Sequence, residues 1–457
     1  MKSHIIFLGL LLLCPIFGNS QNNNQQLQSI DSVNLESFNP NEAHSFKEWF
    51  QKGHTSGIIR ANMMHTLRPK AETYNGALAL GGRLYYHTSY WKGLKLGVGG
   101  LFTYNVASTN LASNNYMFAP KWERQLFDLQ DPVNKHDLDR LEELFVKYRH
   151  KDSYIKLGKM LVETPFVNPQ DSRMKPSAFQ GLWIDWNEGH RLELNGGIFN
   201  KVSPRSTTEW IGISESIGLY ERYQKGDTSS PIHENINLWI LGAHYKINSN
   251  MNYHNWQYYI SQFSYVNFNQ LEWRKSPIQI GIQYVFQKGL DKRQLFSKMP
   301  AKQNTSIMSG QVKWIAPKWQ ISYNITQGLS DTPFIFSKEW GNDPFYTYIS
   351  RHRIEGLNGV NSHSIKLNLQ PFNNWKDFNL GVYGIRTAYE EVDVLLNNST
   401  DSYLNQLSLD MQAHFSKHWE NLSFRFLNTI LIAKGKVINP FLKEEIFHSQ
   451  LIVNYNF

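Results

Sequence analysis

Four charged side chains, Glu163, Asp171, Arg173 and Lys175, stand within thirteen positions of one another, in a stretch from Gly158 to Gly181 that also holds Pro165, Pro169 and Pro176. Each proline fixes one φ angle and so stiffens the backbone between the charges. Permanent charges on a stiffened loop suit one task well: holding a fixed field while water and small solutes pass. The same residues also permit a plainer reading, in which Asp171 and Arg173 cap a turn or pair with a neighbouring wall. The sequence favours no covalent or metal chemistry. Sixteen histidines are present, yet none stands in an HExxH arrangement and no paired cysteines accompany them. No GxSxG or phosphate-loop motif occurs, and Gly97, Gly99 and Gly100 read as strand positions. The expectation is no metal, no cofactor and no enzyme; a barrel lipase with a triad on its outer wall is the remote exception.

Strands must position these charges. The first twenty residues read as a secretory signal peptide: Lys2 and His4, an apolar run from Ile5 to Phe17, then Gly18-Asn19-Ser20. Cleavage there removes Cys14, the one cysteine of the 457-residue chain, and leaves an exported protein without disulfides. Residues 21–55 read as a periplasmic lead-in. Beyond them no apolar run approaches the length of a membrane helix. Period-2 alternation begins instead at Gly57, which sets Ile59, Ala61 and Met63 against Arg60, Asn62 and Met64. Aromatic residues make up 14% of the chain and hydrophobic ones 41%, with a mean hydropathy of −0.46. An apolar outer wall alternating with a wet lumen has that composition.

Connections alternate between short and long along the chain, as in outer membrane barrels with short periplasmic turns and longer external loops. Long ones are expected near 68–76, 107–141, 163–179, 201–235, 289–306, 329–359, 391–402 and 435–445. The stretch from His254 to Lys275 has no obvious break, and a tight external turn around Val266–Phe268 keeps the alternation in phase. The expectation is an all-β transmembrane antiparallel barrel of about 18 strands over residues 56–457, with one loop, 163–179, folded into the lumen. The segment 137–149 reads equally as a helix or as a turn leading into a strand. The last strand sets Phe447, Leu451, Val453, Tyr455 and Phe457 on one face. Val453, Tyr455 and the terminal Phe457 look like the signal offered to the barrel assembly machinery.

The residues of the opening stretch resemble the OprD-like family of outer membrane porins. The match runs through Leu157-Gly158-Lys159, Glu163-Thr164-Pro165-Phe166, Asp171-Ser172-Arg173-Met174 with Pro176, and Ala178-Phe179-Gln180-Gly181. Lys159 and Met160 stand where that family more often has Arg and Gln, and Gln180 where Glu is commoner. The lead-in Gly53-His54-Thr55-Ser56-Gly57 with Arg60 is similar to its first strand. The resemblance implies an eighteen-stranded channel whose third external loop folds inward, with a ladder of basic residues guiding small carboxylate-bearing solutes. Alternation places Arg60, Arg83, Lys95, Lys156, Arg191, Lys366 and Arg425 on the inner face, where they either form a basic strip or pair with acids such as Asp185, Glu193 and Asp410.

The expected function is an outer membrane channel for passive diffusion of small hydrophilic solutes. The expected partners are outer membrane lipid, small-molecule solutes and the assembly machinery. Lys and Arg are scattered, so no nucleic-acid surface is expected. The competing class is a non-conducting structural or adhesion barrel, whose loops near 107–141, 201–235 and 329–359 bind a periplasmic or outer membrane protein.

Overall fold

The computed structural model describes residues 42–113, 120–189, 191–220, 236–290, 304–372, 377–393, 398–415, 421–435 and 445–457. The expected signal peptide and most of the lead-in lie outside them. Among the described residues, a short helix α1 (Phe46–Gln51) leads into β1 (His54–Arg68), and a single sheet follows in which each wall strand pairs antiparallel with its neighbours. The last strand, β19 (Ile446–Asn456), pairs with both β18 (Leu422–Gly435) and β1, which closes the sheet into a barrel. Eighteen strands form the wall. The nineteenth, β8 (Ile211–Gly212), is a two-residue ladder on an external loop beside β7 (Leu192–Ser203), and β7 continues the wall by pairing with β9 (Leu238–Asn248).

Closure leaves the wall without an edge strand, and the wall strands pair with one another all the way round, as a membrane without water in its core requires. The outer face carries Ile59, Leu80, Leu84, Val98, Phe102, Ile282, Val312 and Leu407 exposed. In water that would be an aggregating surface; in a bilayer it is the solvated one.

Several connections differ from the alternation read in the sequence. The link expected near 68–76 is a tight turn, Pro69–Ala71 followed by Glu72 at φ 50°, because β1 and β2 (Thr73–His87) run on past the expected strand ends. Similarly β16 (Phe378–Asp393) and β17 (Asn398–His414) approach to within four residues of each other. The external turn expected at Val266–Phe268 falls at Ser261–Phe263, between β10 (Met251–Ile260) and β11 (Ser264–Lys275). Val266 and Phe268 are interior wall residues there. Residues 137–149 hold no helix; β4 (Arg140–His150) starts directly. A register shift against β3 (Leu94–Ser108) turns both Glu142 and Glu143 inward, which breaks the period-2 pattern and mimics helical spacing.

The apolar core lies inside the barrel, where long loops pack on the upper inner wall. On one side Phe166 and Val167 from loop 161–177, and Phe334, Phe336, Trp340 and Phe345 from loop 329–357, meet Tyr258, Phe268 and Val285 of the wall. Across the lumen, Leu111, Trp122, Leu126, Phe127 and Leu138 of loop 109–139 meet Met64, Leu404, Leu431 and Ile446. The expectation of a single inward loop is therefore too small. At least three external loops fold in, because each carries large apolar side chains that lumen water would otherwise solvate poorly.

Candidate functional site

Loop 161–177 joins β5 (Ser153–Met160) to β6 (Ala178–Glu188) and crosses the bore. At one end Tyr258 of β10 anchors it: its hydroxyl donates to Thr164 Oγ1 at 3.0 Å and accepts from the Phe166 amide at 3.3 Å. The Phe166 ring packs among Phe268, Phe334, Phe336 and Phe345. Five residues on, the Asp171 carboxylate accepts from Arg60 Nη1 of β1 and Arg83 Nη2 of β2, each at 2.6 Å. Because β10 is the ninth wall strand counting from β1, these anchorages lie almost opposite each other. Five extended residues reach about 18 Å at most, so the two inward arginines and Tyr258 complete the span. The loop is a strut across the channel.

Arg60 and Arg83 thus hold the strut and do not form a bare strip. Arg60 also donates to Asn454 Oδ1 at 2.7 Å and to the Arg173 carbonyl at 2.7 Å. The remaining predicted wall cations, Arg191 apart, are likewise engaged. Arg425 pairs with Asp410 at 2.8 Å. Lys366 of β15 (Asn358–Leu369) donates to the Tyr348 carbonyl of loop 329–357 at 2.6 Å. Lys156 sits 4.0 Å from the centre of the Phe145 ring, and Lys95 5.6 Å from that of Tyr90. Arg191 is exposed next to a periplasmic turn, outside the wall. Val453 and Tyr455 face outward opposite Ala61 and Ile59, and Phe457 lies exposed over Gly57.

The other loop charges divide sharply. Lys175 is fully buried, donating to the Phe127 carbonyl at 2.7 Å, and burial pulls its ammonium down to about 7. Glu163 is open to water yet enclosed by the barrel, which pushes its carboxyl up to about 7, and it has no ionic partner among the described residues. Arg173 belongs to a cluster that sequence reading did not assemble. Its Nη2 donates to Gln125 Oε1 at 2.9 Å, and the same oxygen accepts from Arg205 Nη2 at 3.2 Å. Arg205 Nη1 also reaches Ser172 Oγ at 2.9 Å. Arg351 donates to Gln450 Oε1 at 2.6 Å, and Gln450 in turn donates to the Ser172 carbonyl at 2.9 Å. Three guanidiniums from three loops therefore converge on neutral oxygens. No carboxylate lies within ion-pair distance of any of them among the described residues, and the Nε donor of each is buried without a partner. Burial first, and then the facing arginine charges, pull Arg173 well below the usual range and Arg351 down to about 9. Guanidinium does not release its proton in practice, so the shifts register buried like charges that the nearby Glu123 offsets only in part.

Two signals could have drawn attention to this cluster. Arg351 and Arg353 flank His352 in a loop otherwise rich in aromatics, and Arg205 follows a Ser-Pro at the end of β7. Only folding brings them to Arg173. His352, read from sequence as solvated, is buried against Thr387 Oγ1 at 2.7 Å, and burial pushes its imidazole down to about 3.

A closed barrel with an apolar outer wall and a loop strut across its bore has the architecture of an outer membrane porin. The sequence model of the family described as outer membrane porin, OprD family, matches residues 123–274, a span that includes the whole strut, and over that span the chain is similar to the family. Solved structures of similar architecture include OpdO of Pseudomonas aeruginosa, 13% identical with a TM-score of 0.69, the match covering 91% of this chain and 99% of that one. OccAB3 of Acinetobacter baumannii is 13% identical with a TM-score of 0.72, covering 89% and 99%. OpdK of P. aeruginosa is 14% identical with a TM-score of 0.69, covering 90% and 99%. At such identities the likeness is one of fold. No curated protein sequence matches the chain.

Proposed function

We propose that this channel passes small hydrophilic solutes passively and prefers those bearing a carboxylate, such as amino acids, small peptides and organic acids. The observation that supports this preference is the convergence of Arg173, Arg205 and Arg351 beside the strut, with no carboxylate in ion-pair contact among the described residues and the buried Glu123 as a nearby acid. Arg173 and Arg205 are themselves buried and act through their field. Low-dielectric walls focus such a field and raise the local concentration of anions. In this reading Asp171 fixes the strut, Glu163 tempers the anion preference, and Lys175 holds loop 161–177 to loop 109–139. The wall cations Arg60, Arg83, Lys366 and Arg425 act chiefly by positioning loops. Lys95 and Lys156 extend the positive field toward the periplasm.

Export by a cleaved signal peptide and delivery through Val453, Tyr455 and Phe457 to the assembly machinery complete the picture. The adhesion alternative loses its main support, because the described parts of loops 109–139 and 329–357 turn into the barrel and bury their apolar residues there. Planar-bilayer recording of the purified protein in a salt gradient tests the reading. A steady current with anion-leaning reversal potential is expected, shifting toward cations in Arg205→Gln and Arg351→Gln. Absence of any steady current would sink the channel, and an unshifted potential would sink the carboxylate preference.

A further inference from the structure

Helix α1 is six residues long, far below the length at which a helix holds together alone in water. Contacts hold it instead. The Ser45 hydroxyl caps its start, accepting from the Glu48 amide at 3.2 Å. Trp49 is buried beneath it, with Nε1 donating to the Leu94 carbonyl at 3.1 Å and its ring centre 5.5 Å from that of Trp91. At the far end the Tyr86 hydroxyl donates to the Phe50 carbonyl at 2.6 Å, and the chain passes so close that a Cβ on Gly53 would lie 2.4 Å from the same hydroxyl oxygen. Tyr86 sets the position. On β2 it shares the outward face with Leu80 and Leu84, while Arg83 and Tyr85 turn to the lumen. The helix is therefore fastened to the lipid side of the periplasmic rim, outside the bore.

Spacing of three and four residues puts Phe46, Trp49 and Phe50 on one face of the helix, away from Glu48 and Gln51. The barrel covers only the middle of that face. Phe46 and Phe50 stay 59% and 41% exposed, their ring centres 5.3 Å apart, with that of Phe46 5.7 Å from Trp91. Further outward aromatics stand at the same end of the wall: Tyr148 near the turn from β4 to β5, and Tyr455 and Phe457 at the end of the last strand. The helix patch continues their girdle. Exposed Lys47 and Lys92 flank it, Lys92 lying 5.5 Å from the Trp91 ring centre. Rings with ammonium groups beside them suit the headgroup level of a bilayer, where the rings meet apolar chains and the charges meet phosphate.

We propose that α1 is an interfacial foot on the inner leaflet of the outer membrane. Phe46 and Phe50 enter the leaflet at headgroup level, and Lys47 and Lys92 face its lipid phosphates. The foot fastens the chain ahead of β1 and fixes how deeply this side of the wall sits. Lipid is the occupant because Tyr86, Tyr148 and Phe457, beside the patch, are on the lipid-facing side of the wall. The proposal rests on the chain being a membrane barrel.

The test uses the full chain in vesicles of phosphatidylethanolamine and phosphatidylglycerol. Cys14, the one cysteine, lies in the expected signal peptide, so Phe46→Cys, Phe50→Cys and Gln51→Cys each offer a single site for a bimane label once that peptide is removed. Leu84→Cys on the wall serves as the lipid-facing reference, and heat-modifiable migration selects closed barrels. A nitroxide on the lipid chain just below the glycerol carbonyls should quench the labels of Phe46→Cys and Phe50→Cys about fivefold more than that of Gln51→Cys, and aqueous iodide should do the reverse. Equal quenching of all three, with Leu84→Cys quenched, would overturn the foot alone. Loss of quenching at Leu84→Cys as well would overturn the membrane barrel beneath it. Shielding of Phe46→Cys and Phe50→Cys from iodide in native outer membranes, but not in the vesicles, would assign the patch to a protein partner and refute lipid docking.

Discussion

Replacing Asp171 with Asn should release the strut without unfolding the barrel. The carboxylate and the Arg60 and Arg83 side chains are 3%, 2% and 6% exposed, so solvent screening takes little from the interaction. An amide keeps one acceptor oxygen but turns a donor toward the second guanidinium. Arg60 retains Asn454 and the Arg173 carbonyl; Arg83 loses the only acceptor described for it. Removing one member of a buried ionic group costs about 3–5 kcal/mol, because the charge left behind is uncompensated. At the lower end, about 3 kcal/mol, the population of undocked strut rises roughly a hundredfold. Tyr258 and the Phe166 cluster still tether the other end, so the freed segment should swing and not leave. Single-channel recording should then show frequent transitions to a wider state and a larger mean conductance. The heat-modifiable shift that reports the closed wall should stay unchanged. Arg83→Gln in the Asp171→Asn background should recover part of the quiet behaviour, the coupling expected of groups in one network. Unchanged conductance and gating in Asp171→Asn would refute the reasoning and move the constriction elsewhere.

The opposite anchorage gives a second expectation: Phe166→Ala empties a packed aromatic site, costing docking about 3–5 kcal/mol, and should widen the channel as Asp171→Asn does, again read as conductance. Glu163, held up to about 7 by its enclosed site, is neutral below that pH and anionic above it. Anion selectivity in a salt gradient should therefore fall as pH rises from 6 to 8, and Glu163→Gln should reduce that dependence, leaving the part of the same sign that the Lys175 ammonium, pulled down to about 7, contributes. His352, pushed down to about 3, stays neutral over the same range, so His352→Gln should leave the pH profile unaltered. Lys366→Met removes the tie to the Tyr348 carbonyl and should loosen loop 329–357, seen as faster proteolysis within that loop while the wall resists.

The sequence by itself determined the barrel. Alternation places Ile59, Ala61 and Met63 outside and Arg60, Asn62 and Met64 inside through strand geometry alone, since successive side chains point to opposite faces. Outside, lipid accepts only apolar groups, so the pattern stays legible wherever the inner face is wet. It fails at β10 and β11, where the inner face is dry. Trp256, Tyr258, Val266 and Phe268 lie under loops that belong to distant sequence, and the turn was misplaced by about five residues because both faces broke the rule. The strut was legible as a stiff, charged loop between two strands. Its two anchors were not, because the Asp171 carboxylate meets arginines 88 and 111 positions away. Only closure of the eighteen-strand ring decides that β1, β2 and β10 face one another across a loop that leaves from β5. The same closure gathers Arg173, Arg205 and Arg351 from three loops, and no local spacing encodes that meeting.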